Sequence, residues 1–430
     1  IYYSGAVNAR GGFYFLSDGR FGVSPFNSSG ANMNRFSVPV YRDPAAWYHI
    51  VITANGITTS NLSTNLVIYV NGVAIETTQT SQSSPTGGDR INDAQAKRIS
   101  GLSPSGGQHF DGYLAEWHWI DGTVYNQNNF GEFKNGIWTA KEVTGLSYGA
   151  AGYYLNFADS SDIGNNANTT DGTNDWTPSG IVASDVVPDS PTNNFGTMNP
   201  LDKNSMTVSE GNLQVVPSGD YKAIRGTFGI PTSGKWYFEA RYLTPGGGNV
   251  QDNQVGIVTA SNVLTGSSPY PQAFTYGVGY LGLGQINRGG SAAQSSLTAV
   301  TAGKVLGVAV NVDDDEVQFY LDGSAVGTAE QLVSTTEPNF AFYVGATNRG
   351  VVFNFGQDST FAGAVSAGGN ADANGIGDFA YAPPANHLAL CTSNLSEPTI
   401  GPNSGTNEQA DDYFNTVIWS GNSTNNRSIT

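Results

Sequence analysis

Residues 66–75 read LVIYVNGVAI, and residues 317–326 read VQFYLDGSAV. In each stretch an alternating apolar run meets a turn dipeptide, Asn71-Gly72 or Asp322-Gly323, and then resumes. A two-residue type I′ turn needs positive φ at both central residues, and these dipeptides tolerate it, so each stretch predicts a tight antiparallel hairpin. An apolar strand pattern stands upstream of each, WYHIVITA at 47–54 and KVLGVAVNV at 304–312. Two such units, far apart in one chain, predict an all-β protein of two antiparallel jelly-roll or β-sandwich domains in tandem. Sandwiches of this kind display loops for binding more often than they carry chemistry, although a fold by itself does not settle function.

Composition agrees with this class. A chain of 430 residues predicts two or three domains. Its 55 glycines, with many Asn, Ser and Thr, predict short strands joined by numerous turns. Only 12% of residues are charged, against roughly a quarter in ordinary soluble proteins. The net charge of -17 is uneven. Residues 1–158 hold nine basic and ten acidic side chains, residues 159–200 hold six Asp and no Lys or Arg, and residues 201–395 hold eight basic and fifteen acidic. No segment is basic enough to neutralise a phosphate backbone or an anionic bilayer, so nucleic acid and membrane insertion are not expected. Cys391 is the only cysteine, which excludes intrachain disulfides and cysteine-based zinc sites. No apolar run is long enough to span a bilayer. The first residues, Ile1-Tyr2-Tyr3, already follow a strand pattern, and a piece of a longer polypeptide is expected.

The first domain is expected over 1–158, with strands near Gly12–Leu16, Arg35–Val40, Tyr48–Ala54, Leu66–Val70, Gly112–Ile120 and Tyr153–Phe157. Residues 77–93 carry no hydrophobic period and predict a long polar loop. Residues 159–200, rich in Asn, Asp and Thr, predict an acidic polar linker. The second domain is expected over 201–395, opening on GKWYFEARY at 234–242 and continuing through strands near 255–260, 276–283, 305–312, 317–321, 340–345 and 351–355. Residues 396–430 are expected as a linker and the start of a further module.

Three stretches of the first domain, DPAAWYHIVITA at 43–54, the Tyr69–Gly72 hairpin and FDGYLAEWHWIDG at 110–122, resemble a laminin-G-like, concanavalin-A-like jelly roll. The second domain resembles a SPRY domain through GKWYFEARY, Val255-Gly256-Ile257, AGKVLGVAVNVDDDEVQFYLDG at 302–323 and VFNFG at 352–356. The segments DSPTNNFGTMNPLD at 189–202, PPANHLALCTSNL at 383–395 and YFNTVIWSG at 413–421 are similar to parts of large structural proteins of marine tailed bacteriophages. The resemblance implies a virion-surface, extracellular protein.

A jelly roll of this class becomes a glycoside hydrolase when two carboxylates face one sugar, roughly 5 to 10 Å apart. In LAEWHWID at 114–121, period two places Leu114, Glu116, His118 and Ile120 on one face and Ala115, Trp117, Trp119 and Asp121 on the other. Glu116 is then the only carboxylate on its face, and an ion pair with His118 is the simplest role. Trp117 and Trp119 are candidates for stacking on sugar rings, with a core role as the alternative. In SPRY-like domains the loops at one end of the sandwich form the binding face, and Tyr270, Tyr276 and Arg288 are the candidates there. Asp171, Asp175, Asp372 and Asp378 are weak calcium candidates, since hard oxygen ligands suit that ion. No cofactor is otherwise expected.

The expected function is a non-enzymatic phage virion protein of tail-fibre or spike type that recognises a host cell-surface glycan. It is expected to contact other virion proteins and to form a homo-oligomer, a trimer if it is a fibre. Two alternatives stand beside it: a structural or decoration protein that touches only virion proteins, and a surface glycan hydrolase.

Overall fold

The computed structural model describes residues 1–396 apart from 7–8, 29–30, 83–89, 92–96, 102–108, 135–136, 169–173, 244–252 and 265–274. The chain is built almost wholly of antiparallel strands.

In the first half a six-stranded sheet runs in the spatial order Thr77–Gln82, Ala31–Val40, Arg20–Ser28, Ala9–Phe15, Tyr2–Ala6, Lys97–Ile99. Its apolar face, with Phe21, Val23 and Met33, packs on Leu66, Ile68 and Val70 from a three-stranded sheet of Ile50–Ala54, Leu66–Val70 and Val73–Ala74. Two short pairs extend this second layer, Trp117–Trp119 with Tyr153–Leu155 and Gly131–Lys134 with Ile137–Ala140.

In the second half a seven-stranded sheet faces an eight-stranded one. The first carries Lys222–Ile230, Asn339–Gly345, Gln254–Thr259 and Gly277–Leu281 at its centre. The second carries Val351–Asn354, Lys235–Tyr242, Val305–Asn311 and Glu316–Leu321. Between them lies a large apolar core that includes Trp236, Phe238, Tyr242, Ile257, Tyr280, Phe319, Tyr343 and Phe353. Each such side chain removed from water contributes about 1.5–3 kcal/mol, and this core is the main source of the domain's stability.

Both predicted hairpins are present, in separate sheets. Val70 pairs with Val73 and Leu321 with Ser324, and the turn residues have φ of 47° and 79° at Asn71-Gly72 and 48° and 78° at Asp322-Gly323. All four angles are positive, as a type I′ turn requires.

Three expectations need correction. Residues 77–82, expected as loop, form an edge strand, because the partner Ala31–Val40 supplies the ladder that their composition does not advertise. The strand expected over 112–120 shrinks to Trp117–Trp119, because Glu116 takes a left-handed φ of 53° that ends the extended run. The segment expected as linker is attached on both sides. Asn166 and Asn168 are buried, and Asn174 Nδ2 donates to Ala150 O and Gly152 O in the first half. Phe195 bridges to Cys391, and Gly196 N donates to Leu390 O in the second.

Candidate functional site

In the pair Trp117–Trp119 with Tyr153–Leu155, His118 stands opposite Tyr154 and Trp119 opposite Tyr153. Alternation sends Trp117 and Trp119 to one face, where they meet Phe13 (ring centroids 5.6 Å) and Tyr2 (4.9 Å) of the six-stranded sheet. Both tryptophans therefore serve the contact between the layers, the core role held open for them, instead of standing out as a sugar platform.

His118 goes to the other face. Its ring stacks on Tyr154 at 4.3 Å and 8°, and its Nδ1 lies 2.7 Å from the Tyr148 hydroxyl. Glu116 reaches the same place from its left-handed backbone. Its carboxylate accepts a hydrogen bond from the Tyr154 hydroxyl and lies 3.7 Å from His118 Nε2. The imidazole is nearly covered, with 9% of its side chain exposed, whereas the Glu116 side chain is 58% exposed. His118, then the Tyr154 hydroxyl, hold the Glu116 carboxyl below its usual range, while burial, then the Glu116 charge, push Tyr148 up to about 12. The result is one exposed anion set among Tyr154, Tyr148 and His118. The groups that lower its pKa are His118 and the Tyr154 hydroxyl. The expected pairing of Glu116 with His118 is present, though the alternation that suggested it breaks at Glu116.

In the second half, Tyr276 is 48% exposed at the start of the strand Gly277–Leu281. Arg288 closes the neighbouring strand, opposite Val278. Its guanidinium is already engaged: Nε donates to Gln331 O at 2.7 Å and Nη2 to Leu332 O at 3.1 Å, tying the two sheets together at this end. Tyr270 lies outside the described residues. Residues 259–262 are anchored by Arg225, which sequence reasoning did not single out. This buried arginine pairs with Asp202 at 2.8 Å and donates to Thr259 O, Ala260 O and Asn262 O.

The acidic candidates for calcium are occupied by protein donors. Asp372 accepts from the backbone N–H groups of Asn374, Ile376 and Ala389 and from Asn394 Nδ2. Asp378 accepts from Ser359 Oγ and Gly369 N, and Asp175 from Asn166 N. Asp171 lies outside the described residues. Among the described residues no group of three His, Cys, Asp or Glu side chains is arranged to hold a metal ion, and no helix is long and apolar enough to cross a membrane.

The halves also touch. Trp47 Nε1 donates to Asp189 at 2.9 Å, and the other Asp189 oxygen accepts from Phe195 N at 3.0 Å. Trp47 stacks against Tyr113 at 6.3 Å, and Tyr113 lies so close over Gly211 that a Cβ there would meet its ring at 2.6 Å.

With this geometry in view, comparison with known proteins is informative for the second half. Residues 235–358 match the SPRY domain family, over the strands from Lys235–Tyr242 to Val351–Asn354. The second half is a SPRY-like β-sandwich. Solved structures similar to it include the SPRY domain of human HERC1, at 15% identity over 36% of this chain and 96% of that one, with a TM-score of 0.31. A human SPRY domain is similar at 17% identity over 35% and 95%, with a TM-score of 0.28. The TRIM65 PSpry domain is similar at 14% identity over 37% and 89%, with a TM-score of 0.31. No curated protein matches the chain.

Proposed function

We propose that this chain is a non-enzymatic binding protein of a bacteriophage-type virion, a tail fibre, spike or similar surface appendage that recognises a host-surface glycan. The observation that carries the reading is the single exposed carboxylate of Glu116 among Tyr154, Tyr148 and His118. A sugar offers hydroxyl donors and an apolar ring face, and a carboxylate beside aromatic rings receives both. Glycoside hydrolysis by the usual route asks for a second carboxylate on the opposite side of the bond, and Glu116 has His118 and Tyr154 as its neighbours. A SPRY-like half, as a general interaction module, also supports binding over catalysis. There Tyr276, with Tyr270, which lies outside the described residues, is the second contact, and several copies on a particle would add avidity.

The test is binding of the purified chain to host-surface polysaccharide, with release of reducing ends followed in parallel. Binding without turnover is expected. Glu116→Gln should weaken it about tenfold, the loss of one charge-assisted hydrogen bond. The double variant Tyr270→Ala/Tyr276→Ala should weaken adsorption with folding intact, and the salt dependence should be shallow because few charges are involved. Turnover that disappears in Glu116→Gln would establish the hydrolase instead. No polysaccharide binding by the intact chain would favour a structural or decoration protein.

A further inference from the structure

Sheet edges expose unpaired N–H and C=O groups, and proteins blunt them with proline, charge, bulges, shortness or covering side chains. Several edges among the described residues are treated in one of these ways. Met198–Lys203 carries Pro200, Asp202 and Lys203 and a register shift against its neighbour. Along Ser324–Gln331 the Gln294 amide accepts from Thr328 N and donates to Thr328 O, both at 2.9 Å, while Arg288 takes Gln331 O. Lys97–Ile99 is three residues long and has two basic side chains.

The strand Thr77–Gln82 carries no charge, no proline and no register shift. It runs for six residues as Thr-Thr-Gln-Thr-Ser-Gln, without charge or proline, and holds an unbroken register with its one neighbour from Asn32 opposite Gln82 to Ser37 opposite Thr77. Thr78, Gln79 and Thr80 are exposed, and among the described residues no strand pairs with the outer side.

We propose that this edge pairs antiparallel with the same edge of a second copy of the chain. An isologous contact must be self-complementary, and an antiparallel strand pair about a two-fold axis is. Centred on Gln79, the pairing sets Thr78 opposite the second copy's residue 80 and Glu76 opposite residue 82, so no charge meets its own kind. Cross-strand threonine pairs are favourable, whereas like charges placed opposite each other are not. The half that carries this edge is almost neutral, with nine basic and ten acidic side chains over 1–158, so the chain's charge of -17 is concentrated elsewhere. The two six-stranded sheets would become one continuous sheet. The contact has a two-fold axis, unlike the three-fold arrangement expected of a fibre, and it does not depend on the glycan proposed above.

Sedimentation velocity of the full chain tests it. The unaltered protein should be a dimer. Thr78→Lys/Thr80→Lys and Thr78→Glu/Thr80→Glu should each be monomeric, with unchanged far-UV dichroism and melting. An equimolar mixture of the two should restore a dimer, because residue 78 of one copy then faces an opposite charge at residue 80 of the other. A monomer or a trimer for the unaltered chain would overturn the proposal. So would a folded lysine variant that stays dimeric, or a mixture that fails to pair.

Discussion

Glu239 is fully buried in the strand Lys235–Tyr242, and four donors converge on it. They are the backbone N–H groups of Ala380 and Tyr381 at 2.9 Å, and Asn354 Nδ2 and the Tyr237 hydroxyl at 3.2 Å. Burial nevertheless pushes the carboxyl from 4.5 up to about 7. The folded chain then keeps a proton that the unfolded chain releases. This contribution to stability is therefore fully present in acid and is lost as the pH rises from about 4.5 to 7, a change of about 3 kcal/mol for such a shift. The Tyr237 hydroxyl can turn to accept that proton. An amide has no such freedom, because its NH2 would face a backbone N–H. Glu239→Gln should therefore cost about 1–3 kcal/mol at pH 5, and the gap to the unaltered protein should narrow by pH 8. Urea unfolding at both pH values measures this, and a gap that widened would contradict it. Little of this role was legible in GKWYFEARY. Alternation put Glu239 on the face away from the main core, but a later segment with Phe379, Ala389 and Cys391 covers that face and builds a second small core on Tyr237. The roles of Arg225 and Asp189 were hidden for the same reason: their partners are distant in sequence.

At the scale of elements, the hairpins were the most legible feature because a turn is local chemistry. Asn-Gly and Asp-Gly tolerate positive φ at both positions, and where β-branched and aromatic residues flank them those residues pair on either side. What the turn touches is not local. Gly72 carries Trp138, and a Cβ there would lie 2.0 Å from the indole. Gly72→Ala should destabilise the first half by about 1–3 kcal/mol, through the positive φ and through displacement of Trp138. A shift in tryptophan emission together with a lower melting temperature would report it, and unchanged emission would contradict the contact. Arg20–Ser28 shows the opposite case. Gly22, Pro25 and two serines hide it from pattern reading, and it still forms a strand. Pro25 sits where the register shifts between Val23 and Phe26, so the ladder does not need its missing N–H. Glu116 likewise ended a strand that its sequence would have continued.

At the scale of the whole molecule, Asp189 joins the halves through Trp47 and Phe195. Burial raises its carboxyl to about 6 from an ordinary value of 3.8. The docked form thus holds the proton more tightly, and the junction should be firmest in acid and loosen as the pH rises from about 4 to 6. Asp189→Ala would leave the Trp47 indole N–H and the Phe195 N–H without their acceptor, a cost of about 1–3 kcal/mol. Calorimetry should then resolve two unfolding transitions where the unaltered protein shows closer coupling, and proteolysis within 159–200 should accelerate. Unaltered calorimetric and proteolytic behaviour would mean that the junction rests on its other contacts, Tyr113 over Gly211 and Gly211 N donating to Asp111. By itself the sequence determined the all-β class, the two hairpins and the SPRY-like second half. The class and the hairpins rest on period-two alternation and turn chemistry, which act between residues close along the chain, and the SPRY likeness rests on the resemblance of stretches such as GKWYFEARY. The tertiary structure decided which side chains serve as core, clamp or surface. Trp117 and Trp119 turn inward, Arg288 is tied to carbonyls of the facing sheet, and Glu116 comes together with Tyr148 and Tyr154. Burial and hydrogen bonding between distant residues are set only when the layers close on each other.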